Sequence, residues 1–322
     1  MLYNINMDTT ENTTKFDFII IGAGPAGLAA SQYASRANLR TLLIDQGLPG
    51  GQVTNIFELA NYPGVFPAVN GQVWIQSMKD QAVSFGAKII QAIVKSAEKT
   101  DGLFTVKTTA GDFVSPTLLM ATGAEHRKLG TPGEAEFSGR GVSYCATCDG
   151  PFFRNKDVVV VGGGDSACDE ANYLSTLCSH VTVVHRKSQF RAQKAVAERV
   201  LSNPKISVKF NSTVSAVKGE KKVSAVELTD TVTGEKSELE TSAVFIFVGM
   251  VPQTSLFPTL KTDESGYVIT NEDMETSVEG LYAAGDVRAK SFRQIVTACA
   301  DGAIAANQAA KFVRALNNEV YK

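Results

Sequence analysis

Two uninterrupted apolar runs, Phe18-Ile19-Ile20-Ile21 and Val158-Val159-Val160-Val161, dominate the hydrophobic pattern, and each ends at a cluster of glycines. Apolar runs this short, with no polar alternation, are the signature of parallel strands buried on both faces. The first predicts a strand over 16–21, a glycine turn, a helix over about 25–37 and a second strand over 41–45. The same parts recur from Asp157: a strand over 158–161, a glycine turn, a helix to about Leu177 and a strand over 181–185. Two related βαβ modules therefore form an internal repeat.

Between and after these modules the pattern alternates. Segments 88–99, 103–108 and 112–120 read as a β-meander around Asp101-Gly102 and Gly111, and 206–210, 214–218, 222–229 and 243–248 form an analogous set. Near the end Ile295, Cys299, Ala303, Ala306, Ala310 and Val313 recur every three or four residues, which predicts a closing amphipathic helix with these on its buried stripe. Ala121-Thr122-Gly123-Ala124 and Gly249-Met250-Val251-Pro252 each follow an apolar strand and bracket the second module. They are expected to be the two crossings of a domain inserted into another. The expected organisation is a tail over 1–15, a first domain over 16–123 and 253–322, and an inserted domain over 124–252.

Composition narrows the class without altering this picture. With 44% apolar and 20% charged residues and a net charge of −2, the chain matches an ordinary globular protein and carries no basic block for nucleic acid. Its apolar runs fall far short of the roughly 20 residues a membrane-spanning helix needs. The polar tail has no apolar secretory core, and only two of five cysteines are closely spaced, so a reducing, cytoplasmic setting is expected. The Asn12-Thr13-Thr14 sequon is then without consequence.

The glycine clusters carry the first chemistry. Gly22-Ala-Gly24-Pro25-Ala26-Gly27 and Gly162-Gly-Gly164-Asp165-Ser166-Ala167 each lie between a strand and a helix, where glycine lets the backbone approach a pyrophosphate at the helix N-terminus. The two sites differ in charge. At the same distance beyond the first glycine, one module has Asp45, suited to the hydroxyls of an adenosine ribose. The other has His185-Arg186-Lys187, with Arg191 just beyond, suited to a 2′-phosphate. FAD is therefore expected in the first domain and NADPH, rather than NADH, in the second.

Cys145-Ala-Thr-Cys148-Asp149 carries the second chemistry. A Cys-x-x-Cys pair at a helix start can form a disulfide and shuttle two electrons, and Asp149 is placed to deliver or accept the proton that thiol-disulfide exchange requires. Half of a zinc site is the alternative, but no second such pair exists, and His126, His180 and His185 have no ligand spacing around it. Cys168, Cys178 and Cys299 lie among alanines of predicted helices and are expected to pack in the core.

Together these residues resemble the low-molecular-weight, bacterial-type thioredoxin reductases, class II pyridine nucleotide-disulfide oxidoreductases. The resemblance runs from about Phe16 to Lys311. It rests on both glycine turns and Cys145 to Gly150, with Gly50-Gly51-Gln52, Asn61-Tyr62-Pro63-Gly64, Ala121-Thr122-Gly123, His185 to Arg191, Ala284-Gly285-Asp286-Val287 and Arg293-Gln294-Ile295. It implies an α/β fold of two Rossmann-like, three-layer ββα domains, the NADPH domain with the dithiol inserted into a discontinuous FAD domain. It implies FAD contacts from Gly22, Gly24, Pro25, Ala26, Asp45, Gln46, Gly50, Gly51, Gln52, Asn61, Thr122, Gly123 and Gly285. Asp286 would hold the ribityl chain, and Arg293, Gln294 and Ile295 would meet the isoalloxazine. NADPH would be held by Gly162, Gly164, Asp165, Ser166, His185, Arg186, Lys187 and Arg191, although Lys187 stands where a second arginine is usual.

The implied reaction passes a hydride from NADPH to FAD, then an electron pair to the Cys145-Cys148 disulfide. Cys148 would face the flavin and Cys145 attack thioredoxin, with Asp149 as acid/base. Rotation of the inserted domain between half-reactions and a homodimer follow from the same resemblance. A flavin dithiol reductase serving another protein acceptor, and a nucleotide-binding redox sensor without turnover, are the competing readings.

Overall fold

The structure is a computed structural model and describes residues 14–56, 59 and 61–317. Most of the expected N-terminal tail, with the Asn12 sequon, lies outside the described residues. The chain divides into two compact units, 1–125 with 251–322, and 126–250. The crossings thus fall two residues from the expected ones.

In the first unit five parallel strands lie in the order Leu281–Ala283, Thr117–Met120, Phe18–Ile21, Thr41–Asp45 and Lys88–Gln91. The second unit repeats the plan with Val142–Ser143, Ala243–Phe247, Asp157–Gly162, His180–Val184 and Ile206–Lys209. In both, the strand that ends in the glycine turn is central, and the crossover strand order reverses beside it, the position where open α/β sheets bind ligands.

Residues along each central strand face alternate sides, and this builds three layers. Phe18, Ile20, Leu43 and Leu119 pack with Leu28, Ala30 and Ala34 of helix Pro25–Arg36, whereas Ile19, Ile21, Leu42 and Ile44 pack with Phe104, Val106 and Phe113 of an antiparallel sheet. In the second unit Val158, Val160 and Val183 meet Ala171 and Leu174 of helix Asp165–Leu177. Val159, Val161 and Val184 meet Val214, Val217 and Val226 on the other side.

The meander expectation needs correction at its ends. Lys88–Gln91 belongs to the parallel sheet, and the antiparallel sheet begins afresh at Val94–Thr100, continuing through Leu103–Thr108 and Gly111–Ser115. Pro116, which has no amide hydrogen to donate, separates Gly111–Ser115 from the fully buried Thr117–Met120 of the parallel sheet. In the second unit Ile206–Lys209 is likewise a parallel edge strand. The antiparallel sheet comprises Ser212–Gly219, Val223–Asp230 and Lys236–Glu240. The last of these is mostly exposed and has no apolar alternation to betray it.

The closing helix, Ile295–Leu316, buries Ala306, Ala310 and Val313 of the expected stripe, but with them Ala298, Asp301, Gly302, Ala305 and Ala309 in place of Ile295, Cys299 and Ala303. Alanine occupies most of its circumference, so apolar spacing alone does not pick a face. Close approach to helix Pro25–Arg36 does. A Cβ on Gly302 would lie 2.1 Å from the Ala26 carbonyl oxygen. Gly302→Ala is expected to cost about 3 kcal/mol by overpacking, read as a thermal midpoint lower by several degrees, on the order of 6–10 °C. Among the described residues no helix is long and apolar enough to cross a membrane.

Candidate active site

Each of the three glycine positions in the first turn has its own physical reason. Gly22 has φ +104°, and a Cβ there would lie 2.3 Å from the Ala121 carbonyl oxygen at the end of the neighbouring strand. A Cβ on Gly27 would meet the Gly22 oxygen at 1.9 Å, so this residue sets the approach of helix to turn. Gly24 is neither left-handed nor crowded: among the described residues, its chain neighbours aside, no atom lies within 4 Å of its Cβ position. It leaves open space before helix Pro25–Arg36, whose N-terminus has no side-chain cap. Unpaired helix N–H groups facing open space are what a pyrophosphate takes.

Beside this turn lies a cavity of about 220 Å³ lined by Gly22, Asp45, Gln46, Thr122, Gln253 and other residues of the same unit. Asp45 accepts the Ala23 N–H at 2.6 Å and the Gly47 N–H at 2.8 Å, so the carboxylate is fixed in the cavity wall and each oxygen retains a lone pair. Thr122 Oγ1 donates to the Gln253 carbonyl at 2.6 Å, and Gly50 N–H donates to the Ala23 carbonyl at 2.8 Å. Gln52 Nε2 donates to the Ala124 carbonyl at 2.5 Å.

The structure gathers a second group at Ala284–Arg288 and the start of the closing helix. Gln294 is the N-cap, joined to Thr297 in a reciprocal capping box, and Asn61 Nδ2 donates to Gln294 Oε1 at 3.1 Å. The Arg293 guanidinium stacks on Tyr267, 3.7 Å from its ring centroid. Asp286 Oδ1 and Arg293 Nε are buried and unsatisfied. Burial pushes the Asp286 carboxyl above its usual range, against the lowering effect of Lys290 and Arg293. Buried polar atoms without partners are costly, and a bound polyol with hydroxyl and carbonyl groups would satisfy both. Cys299, by contrast with Cys168 and Cys178, is only half-buried and lies against Tyr62 and the Pro25 carbonyl. Burial raises its thiol to about 11, so it is an inert neighbour of the turn.

The second turn follows the same logic. Gly162 has φ +152°, a Cβ there would lie 2.4 Å from the Phe247 carbonyl oxygen, and helix Asp165–Leu177 has no side-chain cap. Among the described residues, its chain neighbours aside, the atom within 4 Å of the Gly164 Cβ position is Nη2 of Arg191, at 3.9 Å. The loop that carries Arg191 is sewn to the turn: Arg191 N–H donates to the Gly163 carbonyl at 2.7 Å and Gln193 N–H to Asp165 Oδ1 at 2.7 Å. Asp165 thus clamps the basic loop. Arg186, Lys187, Arg191 and Ser166 are exposed.

His185 departs from the expected basic group. It is 6% exposed, packs against Phe190 and Phe210, and its ring fills the space a Gly163 side chain would need, with Nδ1 at 2.2 Å from that Cβ position. Burial and the neighbouring Arg191, Arg186 and Lys187 charges lower its pKa, so it stands neutral beneath the turn and adds no positive charge. The charge next to the turn comes from the two arginines and Lys187.

The dithiol segment follows strand Val142–Ser143 and forms the short helix Ala146–Asp149. Cys145 is disulfide-bonded and half-buried, with Thr147 Oγ1 at 3.4 Å from its sulfur and Ser143 Oγ accepting its N–H at 3.1 Å. Asp149 N–H donates to the Cys145 carbonyl at 3.2 Å, and its side chain is half-buried. Tyr144, missed in the motif, anchors the segment from behind: its hydroxyl donates to Glu134 at 2.6 Å, and Glu134 also accepts the Leu129 and Gly130 N–H groups. Burial raises the Glu134 pKa, but these hydrogen bonds outweigh it and hold the carboxylate below its usual range.

A fold of two glycine-turn units, one of them bearing a disulfide, defines a class. The family model for pyridine nucleotide-disulphide oxidoreductases matches residues 16–302, and the chain belongs to that family. Among its relatives are thioredoxin reductases. That of Treponema pallidum is 56% identical over 305 residues, covering 95% of this chain and 99% of the relative, and that of Bacillus subtilis is 48% identical, covering 94% and 96%. The solved thioredoxin reductase of Lactococcus lactis superposes with a TM-score of 0.85 at 42% identity over 92% of this chain and 99% of that one. The cofactors are FAD and NADPH. The open Gly24 and Gly164 approaches, the fixed Asp45 and Asp286, whose buried Oδ1 accepts no hydrogen bond, fit them.

Proposed function

We propose that the chain is a thioredoxin-disulfide reductase in which the dithiol Cys145/Cys148 is the last station before the protein acceptor. The observation that carries this reading is a disulfide-bonded Cys145 at a strand-to-helix turn of the unit whose glycine turn bears the basic loop. Bound NADPH supplies a hydride and bound FAD makes of it an electron pair that a disulfide can take.

The chain's residues divide the remaining work. Gly22, Gly24, Pro25 and Ala26 present helix N–H groups to the FAD pyrophosphate, and Asp45 and Gln46 hold its adenosine. Gly50, Gly51, Gln52, Asn61, Thr122, Gly123, Gly285, Asp286, Arg293, Gln294 and Ile295 shape the flavin half. Gly162, Gly164 and Ser166 take the NADPH pyrophosphate, while Arg186, Lys187 and Arg191, set by Asp165, take its 2′-phosphate.

With the dithiol reduced, the Cys145 thiolate attacks one sulfur of the thioredoxin disulfide, and the expelled thiolate takes the proton that Asp149 relays from the Cys148 thiol. The Cys148 thiolate so formed attacks Cys145 Sγ, and the second thioredoxin sulfur leaves as a thiolate and takes a proton from solvent, which releases dithiol thioredoxin and restores the Cys145-Cys148 bond. Thr147, beside the Cys145 sulfur, donates a hydrogen bond to the charge that appears there. The resemblance to thioredoxin reductases also supports a cytoplasmic homodimer, and sedimentation of one chain per particle would reject the dimer.

Anaerobic titration with NADPH tests this reading. The parent is expected to take up about two equivalents per chain, one for FAD and one for the disulfide, and Cys145→Ser about one. Uptake of a single equivalent by the parent removes the dithiol from the route.

A further inference from the structure

The first unit contains a buried charge cluster that no motif announces and the chemistry above does not use. Asp301, on the buried face of helix Ile295–Leu316, gathers three donors on one carboxylate. Gly285 N–H and Lys290 Nζ reach Oδ2, each at 3.0 Å, and Arg288 Nη1 reaches Oδ1 at 3.1 Å. Lys290 and Asp301 have side-chain exposures of only 9% and 8%. The Lys290 ammonium also contacts Thr297 Oγ1 at 3.2 Å, and Arg288 Nε donates to Thr270 Oγ1 at 2.8 Å, which fixes the far side of the cluster.

The same ammonium stands 3.7 Å from Asp286 Oδ1, the oxygen that no hydrogen bond satisfies. Two carboxylates therefore compete for one buried cation, and Asp301 holds it at the shorter distance. Were Asp301 neutral, the flexible lysine would need to move less than about 1 Å to close on Asp286, and at low dielectric that attraction is strong. Closed to hydrogen-bond distance, the ammonium would take one lone pair of Asp286 Oδ1 and the space beside it, so a ligand hydroxyl would have to compete for that oxygen.

We propose that Asp301 is a positioning residue for cofactor binding: it holds the Lys290 ammonium at 3.7 Å from Asp286 Oδ1 instead of at hydrogen-bond distance, so that this oxygen stays accessible to a polyhydroxylated ligand, the ribityl chain of FAD. The inference rests on the assignment of Asp286 made above. It differs from a purely structural role for the cluster because it makes Lys290 harmful once Asp301 is neutral.

FAD affinity of the full chain, measured by flavin fluorescence after removal and re-addition of FAD, tests this without turnover. Asp301→Asn keeps an acceptor for the Gly285 N–H but loses the charge, and its Kd is expected to rise about tenfold or more. Asp301→Asn/Lys290→Met is expected to return to within about threefold of the parent. A double variant as weak as Asp301→Asn, or Asp301→Asn with parental affinity, overturns the proposal. If Asp301→Asn does not fold, Lys290→Met decides alone: affinity equal to or above the parent supports the proposal, and a loss of more than about threefold overturns it. Asp286→Ala, run alongside, separates the two claims. Parental affinity there rejects the assignment of Asp286, whereas loss there with none in Asp301→Asn rejects only the role of Asp301.

Discussion

Cys145→Ser is expected to lower NADPH-dependent reduction of thioredoxin by roughly a thousandfold or more, because a serine hydroxyl neither attacks a disulfide at neutral pH nor accepts an electron pair. Bleaching of the flavin by NADPH is expected to persist at close to the parental rate, since the nucleotide-binding residues lie on the two glycine turns and their loops. Stopped-flow absorbance of the flavin and a steady-state thioredoxin assay separate the two effects. Loss of both would show that the substitution damages the fold or the flavin site. Retention of both would move the chemistry to another group. Among the other cysteines, Cys168 and Cys178 are buried with thiols raised to about 11, mainly by burial, so neither offers a substitute thiolate.

The next largest effect is expected at the basic loop. Replacing Arg186 and Arg191 together by methionine is expected to lower kcat/KM for NADPH by about 100-fold, with NADH changed less than about threefold. Each charge-assisted contact to a phosphate is worth roughly 1.5–3 kcal/mol, and about 1.4 kcal/mol is a factor of ten. His185→Asn, in contrast, is expected to act on stability rather than on coenzyme choice, because the ring is buried, neutral and packed under Gly163. Equal losses with NADPH and NADH in the arginine variant would show that the loop orders the turn but does not read the 2′-phosphate.

Much of this architecture is legible in the chain because buried parallel strands and glycine turns write strong local signals. Phe18-Ile19-Ile20-Ile21 and Val158-Val159-Val160-Val161 have no other sensible reading, and Gly22 and Gly162 are demanded by positive φ and by the strand ends beside them. Edges are less legible. Lys88–Gln91 and Val94–Thr100 differ in sheet and in direction of pairing, yet only two residues separate them, and nothing in their composition announces the change.

Side-chain roles set by burial are least legible. His185 adjoins two cations in sequence, but its ring is buried against Phe190 and Phe210 while Arg186 and Lys187 are exposed. Asp301 and Lys290 form a pair only because the closing helix lies against the loop after Gly285, a long-range fact with no spacing rule. One clue to Asp301 is present: a carboxylate on an alanine-rich helix, one residue before the Gly302 that packs against Ala26. A charge on a buried face needs partners, and here it has three. Gln253, which accepts the Thr122 hydroxyl through its carbonyl and lines the cavity, likewise lies far from the motif it supports.

The most direct test is to mix the purified full-length protein with NADPH and an oxidised thioredoxin, excluding oxygen, and count free thiols on the thioredoxin by alkylation and mass. About two thiols are expected per NADPH consumed, with catalytic turnover of many thioredoxin molecules per chain. A flavin that bleaches with NADPH while thioredoxin keeps its disulfide would contradict the account.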